Sequence, residues 1–416
     1  MRPAHRKARI AIVSPWPPQP SGVSDYAAQL VAELRHEYAI DAYHDPANPP
    51  DLDRLGDATT IPAPLLPRLI GLRHYKSILY QMGNSPYHAF LYPLMLAYPG
   101  IVTLHDLRLT NFHETFAARR DVEPGHLARE IKHDRPNEEI VDALPAMRGE
   151  RGGVPVALAA RGIDLNRRVF ERSRAIVVHS RWSRGRAATM FPEHAAKVHR
   201  IPFGATPEVV SPEGRAAIRS RLGFAADALV LACLGFLGWG KMNEEAIEAF
   251  AVVARAEPHA VLAFAGKDLD DGRASRKAEA LGLGDRVKFL AGTSDADLCD
   301  LARAADIGVN LRRAPTSGET SGTLFTFLRI GIPTIVTDVD SFNDEPDEAV
   351  LRVRWRDDGL PGLIEAMRLL MRDARLRQRL GDGARRLVES EHRWPIVASR
   401  YVELIEAAAT AGRVAG

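Results

Sequence analysis

Five consecutive residues, Glu319, Thr320, Ser321, Gly322 and Thr323, have the chemistry to hold a phosphorylated ligand. Thr320 to Thr323 stand where a helix should begin, and the free N–H groups of a first helical turn, together with the helix dipole, attract an anion. Glu319 stands just ahead of those donors. Its carboxylate would repel a phosphate but accept hydrogen bonds from sugar hydroxyls, so the combination suits a ligand with both parts. The same residues equally suit a plain helix cap.

The elements that must position them are read from the run between Asp306 and Asp338. IGVNLR reads as a short buried strand, and Arg313 to Gly318 as a loop rich in Pro, Thr, Ser and Gly. Ser321 to Ile330 has the apolar pattern of a helix that Gly331 and Pro333 end. TIVTD is the next strand. The same alternation runs through the chain. Strands are expected at RIAIVSP (9–15), DAYHD, SILYQMG, IVTLHD (101–106) and AIVVHS (175–180), and then at LVLACLG (229–235), AVLAFAG (260–266), RVKFLAG (286–292), DIGVNLR (306–312) and TIVTD (334–338). Helices separate them. This predicts an α/β protein of two doubly wound, Rossmann-like domains facing a central cleft, with ligands at the carboxyl ends of the strands. Phe203 to Gly223 has no strand pattern, which places the boundary there: residues 1–205 form one domain and 206–392 the other. Residues 114–165 are charged and lack a clean period, and are expected as irregular helices or a mobile insertion.

Composition excludes several classes. The chain has 416 residues, 46% hydrophobic and 26% charged, which is ordinary for a globular protein of more than one domain. Its 55 basic and 53 acidic residues nearly cancel, so a general nucleic-acid binder is not expected. Cys233 and Cys299 belong to no metal or redox motif and read as inert thiols. MRPAHRKAR runs directly into a strand without the pattern of a secretory signal, so a cytoplasmic location is expected. The apolar window at 88–104 is interrupted by Pro93, Pro99 and Gly100 and is a poor membrane span.

Several segments together resemble the retaining, nucleotide-sugar-dependent glycosyltransferases of GT-B fold, specifically family 4, also called group 1. SPWPPQPSGVSDYAAQLVAEL is similar to the family's first strand, glycine loop and helix, with Gly22 and Val23 in the loop. QMGNSPYHAFLYPLMLAYPGIVTLHD is similar to the approach to a histidine that contacts the transferred sugar, which the resemblance assigns to His105. Asn84, His88 and Asp106 are the acceptor-side candidates. His179 and Ser180 fall in the family's strand before the hinge and are expected in the cleft wall. LACLGFLGWGKMNEEAIEAF resembles the segment that supplies two cations to the diphosphate. Lys241 takes the place of one, while Phe236 stands where the other is usually an arginine; Arg312 or Arg313 is the expected replacement. The helix after Gly322 corresponds to a motif of two glutamates. Glu319 inherits the role of the first, which touches the transferred sugar, and Thr326 stands where the second would hold the ribose. Residues 393–416 are similar to the family's terminal helix, which crosses back to the first domain.

What the resemblance implies is transfer of a hexose, with mannose hinted by GETSG, from a nucleotide diphosphate sugar to a glycan, lipid-linked or small-molecule acceptor. It implies no metal or other cofactor: DLD at 268–270 and DVD at 338–340 match the loose aspartate pattern of metal-dependent transferases, which is common by chance. Arg2, Arg6, Lys7 and Arg9, with Arg68, Arg73 and Lys76 in PRLIGLRHYKSILY, are candidates for peripheral contact with the inner membrane face. The alternatives are a non-catalytic GT-B protein in an envelope-assembly complex and a nucleotide-sugar epimerase. A dinucleotide oxidoreductase is disfavoured, since the first strand leads into PWPPQPSG rather than a GxGxxG turn.

Overall fold

A computed structural model describes residues 7–135, 138–290 and 294–414. The chain divides into two compact units. The first comprises Met1–Gly204, Ser317–Thr320 and Trp394–Gly416, and the second Ala205–Thr316 and Ser321–Arg393.

In the first unit the strands are β1 (Arg9–Val13), β2 (Ala39–His44), β3 (Thr59–Pro62), β4 (Ser77–Met82), β5 (Ile101–Leu104), β6 (Ala175–Val178) and β7 (Val198–Arg200). They form one parallel sheet in the order β3-β2-β1-β4-β5-β6-β7. The strand order reverses between β1 and β4, which opens a crevice at their carboxyl ends. The helix Trp394–Val414 belongs to this unit and buries Trp394, Val397, Tyr401 and Ile405 among Ile10, Ile12, Tyr26 and Leu30. Among the described residues between 110 and 165, short helices alternate with turns. His126–Asp134, Leu144–Met147 and Gly153–Ala160 close over a small apolar core of Leu127, Ile131, Met147, Val154 and Leu158. The period was obscured in sequence because each helix is short and buries only a few residues.

The second unit contains β8 (Leu229–Leu234), β9 (Ala260–Ala265), β10 (Val287–Leu290), β11 (Ile307–Asn310), β12 (Thr334–Thr337) and β13 (Val350–Val353). These are parallel in the order β10-β9-β8-β11-β12-β13, with the reversal between β8 and β11. Interior strands such as β8 and β9 are apolar along nearly their whole length because helices cover both faces. Strands β3, β7 and β13, which sequence reasoning did not anticipate, are all sheet edges, and their partly exposed runs follow from having one neighbour only.

The helix expected at Ser321–Ile330 spans Gly322–Leu328, with Ser321 outside it as the N-cap. It stops because Gly331 takes a φ of +84° and the N–H groups of Gly331 and Ile332 return to the carbonyl of Phe327.

Among the described residues, no helix is long and apolar enough to cross a membrane. Arg2 and Arg6 lie outside the described residues. Most of the other cations considered for membrane contact are engaged: Lys7 donates to the carbonyl of Arg35, Arg9 and Arg73 pair with the buried carboxylate of Asp41, and Lys76 pairs with Glu406. Arg68 is exposed.

Candidate functional site

In the second unit the candidate groups gather at the β8/β11 reversal. β8 runs into Gly235, whose φ of +93° only glycine adopts freely; a Cβ there would lie 3.3 Å from Thr323 Cγ2 and 3.8 Å from Lys241 Nζ. Lys241 closes the short turn Trp239–Lys241 ahead of the helix Asn243–Val253, and Asn243 Oδ1 fixes that turn by accepting from Gly238 N at 2.8 Å. A recess between the strand ends is lined by Cys233, Leu234, Lys241, Asn243, Asn310 and Arg312. Phe236, at the place of the expected first cation, is 51% exposed.

Arg312 is buried directly after β11. Its guanidinium donates to Asn310 Oδ1 at 2.7 Å, to the carbonyl of Leu311 at 2.8 Å and to Ser321 Oγ at 3.0 Å, and it lies 5.0 Å from the ring of Phe342. Asn310 Nδ2 also reaches Ser321 Oγ, at 3.2 Å, and the Thr323 hydroxyl is 3.0 Å from the same oxygen. Ser321 is therefore the hub that fixes Arg312, Thr323 and the helix start against the end of β11. Arg313, the other expected cation, pairs with Glu245, donates to the carbonyl of Trp239 and stacks on that ring at 4.8 Å. Thr326 donates its hydroxyl proton to the carbonyl of Gly322 at 3.1 Å, one helical turn back.

In the first unit the acceptor-side candidates come together where β4 and β5 end. Asn84 N donates to Asp106 Oδ2 at 2.7 Å, Asn84 Oδ1 accepts from Phe112 N at 2.8 Å, and Asn84 Nδ2 donates to Ser317 Oγ at 3.1 Å. Gly83 brings His88 and Asp106 close: a Cβ at Gly83 would stand 3.1 Å from Asp106 Oδ2 and 3.2 Å from His88 Nε2. His88 Nδ1 lies 3.1 Å from the carbonyl of Ser85, while its buried Nε2 has no hydrogen-bond partner among the described residues. Burial holds the imidazole of His88 down at about 4, so it is neutral near pH 7. His105 follows β5 and is buried, with Nε2 2.9 Å from Gln81 Oε1 and Nδ1 3.3 Å from His179 Nε2. Burial first, then His179 and His88, hold it well below the ordinary histidine value. Ser180, placed beside His179 in sequence, caps the helix Arg181–Met190 through Ser183 N. Gly22 and Val23 open the helix Gly22–Leu34 rather than lying in a loop, because the Ser21 hydroxyl caps that helix by accepting from Val23 N.

Glu319 and Thr320 belong to the first unit through the segment Ser317–Thr320. Arg108 N donates to the carbonyl of Ser317 at 2.8 Å and Ser183 Oγ to that of Gly318 at 3.2 Å. Gly318 has φ +69°, and a Cβ on it would lie 2.9 Å from both Leu107 Cβ and Trp182 Cζ3. Glu319 is thus carried on a tightly seated turn.

In the two aspartate pairs, Asp268, Asp338 and Asp340 hold backbone N–H groups, and Asp270 faces the Arg273 side chain. Asp268 accepts from the N–H groups of Asp270 and Gly272, Asp338 from Trp355 N, and Asp340 from the N–H and hydroxyl of Thr316. Asn310, Ser317 and Gln81 escaped sequence reasoning. A polar residue late in an apolar strand, as in IGVN and SILYQM, was the available signal for Asn310 and Gln81.

Two parallel, helix-covered sheets, each with its crevice at a strand-order reversal, define the GT-B fold. The Anabaena protein HepE, solved in complex with UDP and glucose, superposes with a TM-score of 0.66 at 15% identity, over 96% of this chain and 100% of that one. Residues 214–387 match the model of the family described as glycosyl transferases group 1, so the second unit is a group 1 glycosyltransferase domain. Mannosylfructose-phosphate synthase of Agrobacterium fabrum is 34% identical over 151 residues, which is 34% of this chain and 32% of that protein. The GDP-mannose-dependent monoacylated alpha-(1-6)-phosphatidylinositol monomannoside mannosyltransferase of Corynebacterium glutamicum is 27% identical over 236 residues, 55% of this chain. The chain spans only 32% and 60% of the lengths of these two curated relatives.

Proposed function

We propose that this protein is a retaining hexosyltransferase that uses a nucleotide diphosphate sugar, with the diphosphate held at the β8/β11 crevice. The observation that carries this reading is the convergence of Lys241 and Arg312 on one recess beside Gly235, a glycine that leaves room for a close-lying ligand. Two cations of fixed position would stabilise charge on a leaving diphosphate, the role that preorganised donors fill best. Arg312 thereby replaces the cation that Phe236 cannot supply. Glu319 would accept hydrogen bonds from hydroxyls of the transferred sugar, and Asn84, His88 and Asp106 flank the acceptor. The reaction is a same-face displacement through an oxocarbenium-like state. The bond from the anomeric carbon to the diphosphate oxygen breaks, the bond to the acceptor oxygen forms, and the acceptor's proton passes to a diphosphate oxygen. No protein nucleophile and no metal ion takes part.

The names of the two curated relatives both concern mannosyl transfer, which supports mannose as the sugar, and the GDP-mannose dependence of the Corynebacterium glutamicum enzyme supports guanine as the base. The HepE complex supports UDP as the competing choice. A thermal-shift screen with GDP, UDP, ADP and their common sugars separates them, because a ligand that binds only the folded state raises its apparent stability. Stabilisation by one nucleotide, lost on Lys241→Ala, is the expected result. Silence toward all of them sinks the reading and leaves a non-catalytic protein.

A further inference from the structure

A buried chain of side chains runs through the first unit from the terminal helix to the end of β7. Tyr26 OH is 3.3 Å from Tyr401 OH, Tyr401 OH 3.0 Å from Thr103 Oγ1, and Thr103 Oγ1 3.4 Å from the Gln81 amide. The other side of that amide is 2.9 Å from His105 Nε2, His105 Nδ1 is 3.3 Å from His179 Nε2, and His179 Nδ1 is 2.9 Å from the carbonyl of Ile201.

One end of this chain has a fixed polarity, and proton counting does the rest. The Ile201 carbonyl can only accept, so His179 Nδ1 carries a hydrogen. A neutral His179 then presents a lone pair at Nε2, and His105 must meet it with Nδ1–H. A neutral His105 in turn presents a lone pair at Nε2, which only the NH2 of Gln81 can satisfy. The amide oxygen then faces Thr103, which donates to it and accepts from Tyr401, which accepts from Tyr26. The two ends of an amide have nearly the same shape, so its orientation is decided by these partners. The opposite orientation gives His105 an Nε2–H and leaves either two lone pairs facing each other at 3.3 Å or an extra proton on one ring. Burial opposes that proton on His105, and the groups that act on this ring among the described residues, namely His179, His88 and the ring of Tyr26, are not anions.

We propose that Gln81 is a positioning residue for His105: its amide donates to Nε2 and holds the ring as the neutral tautomer with hydrogen on Nδ1. The tautomer does not depend on the transferase reading; only its consequence does. Both nitrogens of His105 are occupied within the first unit, so a sugar hydroxyl at the end of β5 gains Nε2 only by taking the place of the Gln81 amide.

The test is NMR of the ring nitrogens in the full chain labelled with 15N-histidine, with His105 assigned by its loss in His105→Asn. The expected spectrum has a protonated-type Nδ1 and an unprotonated-type Nε2 on His105, unchanged between about pH 6 and 8, the range in which an ordinary histidine titrates. In Gln81→Glu the carboxylate cannot donate, so His105 should acquire a second protonated nitrogen and titrate inside that range. A native spectrum with hydrogen on His105 Nε2, or a Glu variant with native ring shifts, overturns the proposal. Should the variant fail to fold, the native spectrum decides alone. If no nucleotide sugar is turned over, the tautomer result stands and only the transferase reading falls.

Discussion

Arg312 donates to Ser321 Oγ across 3.0 Å, which ties the cation after β11 to the cap of the helix Gly322–Leu328. The guanidinium is buried, so its contact with a phosphate would be formed largely out of water. A charge-assisted hydrogen bond in such a place contributes about 1.5–3 kcal/mol. Arg312→Gln should therefore weaken nucleotide binding by roughly ten- to a hundredfold, read by calorimetric titration. Unchanged affinity in a folded variant would remove Arg312 from the donor site.

Arg313 makes the complementary case. Its charge is matched by Glu245 and its plane lies on Trp239, so it has a structural role without any ligand. We expect Arg313→Ala to lower stability by about 1 kcal/mol, the scale of a partly exposed ion pair, and to leave nucleotide affinity within about twofold. A large loss of affinity with unchanged stability would reverse the assignment of the two arginines.

These adjacent arginines show where sequence reasoning stops. The interior strands were legible because burial on both faces writes an unbroken apolar run, and Lys241 and Glu319 became candidates because each sits where a turn meets a helix start. Nothing local distinguishes Arg312 from Arg313. Their roles are decided by Glu245 and Trp239, which approach only when the turn before Asn243 folds back. Gln81 is similar: as a polar residue inside SILYQM it was conspicuous, yet its partners His105, Thr103 and, through Thr103, Tyr401 lie far along the chain. The edge strands β3, β7 and β13 were missed for the same physical reason that makes them edges, whereas the edge strand β10 was legible from its apolar run.

Acid should loosen the first unit. His88 and His113 are held neutral by burial, His88 down to about 4 and His113 lower still, against an ordinary value of 6.5. Between those limits the unfolded chain binds more protons than the folded one, so stability rises with pH across that window and is lost as pH falls from about 6.5 toward 4. Each such histidine contributes a slope of up to about 1.4 kcal/mol per pH unit. Chemical denaturation at stepped pH should show this slope, and His113→Phe, which keeps a ring against Tyr92 and Phe112, should reduce it. A slope that the substitution leaves intact would mean that other groups carry the acid sensitivity.

Chelation should leave transfer unchanged. Asp268, Asp338 and Asp340 are committed to backbone N–H groups, and Lys241 and Arg312 already supply positive charge where a metal would otherwise act. Activity measured with and without excess EDTA should agree within error. Its abolition, with rescue by Mn²⁺, would require a metal site that the proposed mechanism does not use.

Gly318→Ala tests whether the seating of Glu319 matters more than its mere presence. The backbone there has φ +69°, and the new methyl would stand 2.9 Å from both Leu107 Cβ and Trp182 Cζ3, neither of which retreats easily. Overpacking of this kind costs about 1–3 kcal/mol, relieved by shifting the turn away from its supports. Ser317 and Glu319 would move with it, while Lys241 and Arg312 in the second unit would not. The expected variant binds nucleotide nearly as tightly as the native chain but transfers sugar at least tenfold more slowly. Ser317→Ala, which removes only the hydroxyl met by Asn84 and keeps the backbone contacts of the turn, should fall between the two. Native rates and native stability in Gly318→Ala would show that the turn tolerates displacement, and Glu319 would then have no positional role to defend.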